Sequence, residues 1–305
     1  MKIKFIILGC GSSLGVPRAD GNWGKCNPNV KKNYRTRCSA LIKTNFKNVL
    51  IDTSPDLRHQ LIKNNISNID SVLFSHLHGD QVHGINDLRV FSLKNKKKIN
   101  VYADSKTGKY IKDTFSYCFN NRFGYPAILK LNKLKKNFSF SINKGNFLSI
   151  KSIPVQHGSI KSQSFIINNK CAYISDANKI FNKDLKSFMN LKFFIIDCLR
   201  INKHPSHYNL NEVIRLADLI VILKNGKSVV HGTVNKIMSR FNFSHSVKND
   251  ETSAVFDTVL MGHEEKYGLS NLVVNEIKIA VPRVNLPIGS KIRIRILAHH
   301  NNIFL

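Results

Sequence analysis

The 305-residue sequence has no run of about 18 apolar residues, so no segment is expected to cross a bilayer as a helix. It has no CxxC pair and no short repeated cysteine spacing. Its six cysteines (Cys10, Cys26, Cys38, Cys118, Cys171 and Cys198) lie scattered, which argues against a disulfide scaffold and for reduced thiols in the cytoplasm. Cys26 and Cys38, on either side of a basic loop, remain candidates for a structural zinc. Acidic side chains are scarce: 19 Asp and Glu stand against 47 Lys and Arg, a formal charge of +28. Two readings of that excess stay open. A surface of this sign attracts polyanions and favours a phosphate-bearing substrate. Alternatively, the composition has drifted toward Lys, Asn and Ile, and the charge is spread along the chain rather than gathered in a tail.

What is present supports a folded core, since 42% of the residues are hydrophobic. The opening MKIKFIILGCGSSLG is apolar enough for a signal segment. A Gly-rich turn follows where a cleavage site would be, so a buried first strand is expected. Strand patterns recur at Lys2 to Leu8, Asn48 to Asp52, Ser71 to Ser75, Ile99 to Ala103, Phe138 to Ile142, Phe147 to Ile153, Ser164 to Ile167, Ala172 to Ser175 and Phe193 to Asp197. Helical spacing is found at Asp56 to Lys63 and Leu210 to Leu219. Such alternation predicts an α/β sandwich with its site on strand-end loops.

Beyond about residue 216 the pattern changes. A hairpin turning at Asn225-Gly226, a helix-like piece at Val234 to Phe243 and a polar link lead into a series of short strands, which predicts a small all-β barrel. The expected divisions are 1–215 for the sandwich, 216–250 for hairpin and linker, and 251–305 for the barrel.

His76, His78 and Asp80 occupy alternate positions directly after an apolar strand. Imidazole and carboxylate are ligands for zinc, manganese or iron. Asp52, His157 and Asp176 also end predicted strands. Metal-capable residues recurring at strand ends are far more specific than one HxHxD motif.

The segments ILGCGSSLGVPR, RCSALI, IDTSPDLR, SHLHGDQVHGINDLR, PVQHGS, YISDAN and HPSHYNL, in this order, resemble the metallo-β-lactamase superfamily. The similarity is greatest to its phosphodiesterase branch, the tRNA 3′-end processing nucleases and the cyclic phosphodiesterases of phosphonate breakdown. The resemblance covers about residues 3 to 213 and implies a four-layer αββα sandwich. It implies one or two ions of Zn2+ or Mn2+. His76, His78 and His157 would hold one metal and Asp80 the second, Asp176 would bridge them, and Asp52 would support the loop. A metal-bound hydroxide would attack a phosphate ester on a small molecule or RNA. His207, backed by Asp197, would protonate the leaving oxygen, with His204 a neighbour; the other reading of this pair is a helix-capping His and a strand-end Asp. Two positions depart from the pattern. Gln81 stands where a second-metal histidine is usual, and no final histidine follows the next strand; Asn225 is nearest, and His231 lies past the hairpin. His83, one turn on from Asp80, is a possible replacement ligand.

From about Asn211 the chain resembles the end of a molybdate-transporter ATP-binding subunit, carried by KYGLSNL and VPRVNLPIG. No GxxxxGK[ST] loop stands upstream, which excludes ATP hydrolysis. A fusion of two reading frames near HPSHYNLNEVIRLAD follows. The barrel would bind an oxyanion such as molybdate, serve as a homodimer contact, or remain a folded appendage. Three functions therefore compete: a phosphodiesterase, a weakened metal domain joined to an oxyanion-binding barrel, and nonspecific nucleic-acid binding resting on charge alone.

Overall fold

The computed structural model describes residues 3–122, 124–200, 202–216, 219–224, 227–233, 253–274 and 277–297. The chain divides into two compact units, Met1–Leu210 and Asn211–Leu305. The change of unit thus comes a few residues before the expected 215, at the start of a helix.

The first unit is built on two sheets. One holds β1 (Lys4–Gly9), β2 (Ser39–Lys43), β3 (Asn48–Ile51), β4 (Ser71–Leu73), β5 (Ile99–Ala103) and β6 (Leu129–Lys133), in that spatial order. The first three run antiparallel and the last three join in parallel. The other sheet runs from β11 (Phe193–Ile196) through β10 (Cys171–Ile174), β9 (Ile160–Ile167) and β8 (Asn146–His157) to β7 (Asn137–Asn143).

Alternation along the strands explains the layers. Ala40, Ile42, Val49, Ile51 and Leu73 turn toward the second sheet and bury against Phe140, Leu148, Ile150, Phe165 and Tyr173. Their neighbours Leu41, Leu50, Val72 and Val101 face the other way. They meet α1 (Leu57–Lys63), α2 (Gly79–Val82), α3 (Arg89–Lys94), α4 (Ser105–Thr114) and α5 (Ser116–Phe119) through residues such as Leu57, Val82, Phe91, Ile111 and Cys118. The strands buried on both faces are therefore almost wholly apolar. On the second sheet's outer side the 3-10 segment Asn182–Phe188 takes the covering role, with Lys151 Nζ donating to Ser187 Oγ at 2.8 Å and Phe188 stacked on Phe194.

The expected first strand is present as β1. Several elements went unpredicted, among them the helices α2, α3 and α5. β2 lies in a segment quoted only for its family likeness. α4 is capped by Asp104, whose carboxylate accepts from Thr107 N at 2.8 Å, a capping signal present in the sequence. β6 follows it.

At the change of unit, α6 (Leu210–Leu216) is shorter than expected because Leu219 already starts a strand. That strand, β12 (Leu219–Lys224), pairs with β13 (Lys227–Thr233) as the foreseen hairpin. The remaining described strands are β14 (Ser253–Glu264), β15 (Leu269–Val274), β16 (Ile277–Pro282) and β17 (Lys291–Leu297). They form one antiparallel sheet in the order β16-β15-β14-β17. The all-β character is as expected, and the described strands make an open four-stranded sheet rather than a closed barrel. The helix-like piece at 234–243 lies outside the described residues, and no described helix is long and apolar enough to cross a membrane.

Candidate metal centre

Strand direction gathers the site. β3 and β4 run parallel, with Ile51 beside Leu73, so Asp52 and the His76 loop leave the first sheet side by side. β10 and β11 are also parallel, pairing Ile174 with Ile196, which places Asp176 beside Asp197. β8 and β10 share a direction, because each runs antiparallel to β9, and so His157 ends at the same rim. A cleft of about 870 Å³ opens there, lined by His78, Asp80, His157, Asp176, Asp197 and His207 together with the loop from Gly9 to Leu14.

Two groups of potential ligands form among the described residues: His76, His78 and His157, and Asp176, Asp197 and His207. In the first, His78 Nδ1 lies 3.1 Å from His76 Nε2 and 3.3 Å from His157 Nε2. The remaining nitrogens of two rings are already engaged. His157 Nδ1–H donates to the Ser206 carbonyl at 2.7 Å, and His76 Nδ1 pairs with Ser75 Oγ at 2.9 Å and Ser162 Oγ at 3.4 Å. That is how a protein fixes which nitrogen a histidine offers to a cation. Burial holds both His76 and His157 below the ordinary histidine range, with the other imidazoles adding to the effect, so they are neutral and able to donate a lone pair. Three nitrogen donors close together, two of them with their outer nitrogens occupied, suit a divalent cation of zinc type.

In the second group His207 Nδ1 lies 2.6 Å from Asp197 Oδ2 and 3.5 Å from Asp176 Oδ1. Burial pushes the Asp176 carboxyl well above the usual range, and the charges of Asp197, Asp80 and Asp52 add to that. Asp176 Oδ2 is also 3.6 Å from His76 Nε2, but a neutral imidazole makes this a polar contact rather than an ion pair.

Asp80 belongs to neither group. Its carboxylate is linked to that of Asp176 through Gln81, whose Nε2 donates to Asp80 Oδ2 at 3.0 Å and to Asp176 Oδ2 at 2.9 Å. Asp52 is wholly buried at φ 59° and accepts from Ser75 N at 2.7 Å, so it holds the start of the histidine loop. His83 does not come to the site, because its ring packs edge-on against Phe115. His204 lies beside His207, with ring centroids 5.0 Å apart. Cys26 is exposed and Cys38 is half-buried with its thiol near the Gly11 carbonyl, and the described residues hold no cysteine cluster for zinc.

Sequence reasoning missed the supporting shell. Ser75 was visible as the residue before His76. Ser162 and the Ser206 carbonyl reach their histidines from 86 and 49 residues away, and only the fold pairs them.

A Beta-lactamase superfamily domain matches residues 47–230. The chain is 31% identical over 231 residues to an octanoyltransferase of Porphyromonas gingivalis, covering 75% of this chain and 45% of that protein. It is 34% identical over 91 residues to the molybdenum import ATP-binding protein ModC of Mesorhizobium japonicum, covering 30% of this chain and 25% of that one. The chain thus spans less than half the length of these curated relatives. Among solved structures, a diphosphatase of the PhnP family superimposes with a TM-score of 0.63 at 26% identity, over 71% of this chain and 81% of that one. With a matched domain across more than half its length, on a two-sheet sandwich carrying histidines and aspartates at one rim, this chain belongs to the β-lactamase superfamily.

Proposed function

We propose that the first unit is a metal-dependent hydrolase acting on a phosphate ester, small molecule or RNA. The observation that carries this reading is the convergence of His76, His78 and His157 from two sheets, beside the Asp197–His207 pair, in one cleft. A divalent cation such as Zn2+ or Mn2+ on the three imidazoles would supply Lewis acidity, both to activate water near neutral pH and to offset charge on the phosphate oxygens.

The side chains then divide the remaining tasks. Asp80, on the cleft wall, accepts a hydrogen bond from the attacking water and orients it. As the imidazolium, His207 keeps Nδ1–H on Asp197 and gives its Nε2 proton to the departing oxygen, ending as the neutral ring. Arg18, Arg35 and Arg200 on the same wall attract the substrate's negative charge. The likeness to a diphosphatase supports a phosphorus centre as the electrophile.

The test is cleavage of a bis-aryl phosphate by the purified chain with zinc or manganese added. The wild type should turn it over, and His78→Ala and Asp176→Ala should lose that turnover while keeping the wild-type circular dichroism spectrum. Turnover that survives both substitutions rejects the reading.

A second reading rests on the ModC likeness. In it the metal domain is weakened and the C-terminal unit binds molybdate or a similar oxyanion. It calls for no turnover and for thermal protection of the second unit by molybdate.

A further inference from the structure

We propose that this centre takes one divalent cation, on His76, His78 and His157, and that the Gln81 carboxamide fills the place between Asp80 and Asp176 where a second cation would sit. The inference rests on the hydrolase reading and narrows it to a one-metal site. Three observations carry it.

First, the space between the Asp80 and Asp176 carboxyls is already bridged by a hydrogen-bond donor. Gln81 Nε2 gives one N–H to each, at 3.0 and 2.9 Å. An amide nitrogen donates hydrogen bonds and has no lone pair for a metal. Second, Gln81 is fully buried on α2, with its backbone carbonyl held by Thr53 N at 2.7 Å, so the side chain has no route to solvent. A cation between the carboxylates would need the amide turned to present Oε1, a weaker ligand for zinc than the imidazole this position lacks. Reversing the amide in the cation's absence would aim Oε1 at two carboxylate oxygens. The described contacts instead leave Oε1 without a hydrogen-bond partner and spend both N–H groups on the acids. Third, Asp80 joins neither group of converging ligands, whereas the three histidines form a group by themselves. Nitrogen donors alone favour a cation such as zinc over harder ions.

The consequence concerns chemistry as well as counting. With one cation, the charge that a second would offset falls to the cleft's guanidinium groups and to His207. Asp80 stays free on one oxygen to orient water.

The test counts metal without substrate. The full chain is loaded with excess Zn2+, passed through gel filtration and measured by elemental analysis, and Co2+ is titrated in parallel while its visible absorption is followed. The expected result is one equivalent per chain, a single break at one equivalent of cobalt, and loss of both in His78→Ala. Gln81→His, which restores an imidazole ligand, should raise retention to two. Two equivalents in the wild type overturn the proposal; if Asp197→Asn then removes one, the second cation sits on the Asp176–Asp197–His207 group. No retained metal overturns it as well, and takes the hydrolase reading with it. Two equivalents together with phosphodiester cleavage would leave that reading standing, so the two failures are distinguishable.

Discussion

Asp52 ends β3 in a left-handed backbone conformation, with one carboxylate oxygen on Ser75 N and the other, Oδ2, lacking a partner. Burial pushes its carboxyl up to about 7 from 3.8, against the opposing pull of the Ser75 hydrogen bonds. Because the folded value is raised, the folded chain binds more protons than the unfolded chain between those limits, and stability falls as pH rises through that window. The neutral histidines push the other way, since His76 and His157 resist protonation and lose stability as pH falls. A difference measurement separates the two. The urea midpoint of the wild type minus that of Asp52→Asn should decline steadily from pH 5 to pH 7, and a flat difference would count against this carboxyl as the source. Gly158 shows a steric constraint of the same local kind. It sits at φ +57°, and a Cβ there would come within 2.9 Å of Ser206 Cβ, on the residue whose carbonyl orients His157.

Arg37 and Asp56 act between elements. Asp56 directly precedes α1, and Arg37 lies at the entry to β2. The carboxylate receives Arg37 Nε at 2.8 Å, a terminal guanidinium nitrogen at 2.7 Å and the Arg37 backbone N at 2.9 Å. The pairing ties the start of β2 to the helix α1. The guanidinium holds the Asp56 carboxyl below its ordinary value, against a smaller desolvation effect. The two side chains are 31% and 21% exposed, so solvent screens the pair. Its contribution is on the order of 1 kcal/mol, above the usual surface pair because the geometry is bidentate. The sign follows from a lowered carboxyl pKa: the stabilisation is present above the unfolded value and is lost as pH falls past it. Urea titration of Arg37→Ala should show a loss of about 1 kcal/mol at neutral pH that shrinks below about pH 4. A loss independent of pH would point to packing of the arginine stem instead.

At the scale of the whole molecule, the two units have separate sheets, and the chain carries two similarities, to a β-lactamase superfamily domain over residues 47–230 and to molybdenum import ATP-binding proteins over 91 residues. Units that fold around separate cores should unfold in separate steps. Calorimetry is expected to resolve two transitions, assignable by comparison with fragments from limited proteolysis. Zinc should raise only the transition of the first unit, by about 2.7 kcal/mol of stabilisation at a hundredfold excess over Kd. A shift of the other transition by molybdate would support the oxyanion reading, and its absence would reject that reading without touching the hydrolase. One cooperative transition moved by both ligands would show that the two units are a single body.

The sequence by itself determined the candidate ligand types and their strand-end positions, because apolar strands, turn residues and the HxHxD spacing are local patterns. It pointed equally to a change of character near residue 216, and it exposed Gln81 and the missing final histidine as departures from the motif. Only the tertiary structure decided which of those groups meet. His83 had the right chemistry and the wrong direction, and Asp80 ended tied to Gln81 instead of joining the histidines. Ser162, on β9, and Ser206, on a remote loop, set their imidazoles. The physical reason is that ligand identity is written residue by residue, whereas orientation depends on hydrogen bonds and packing between segments distant in the chain.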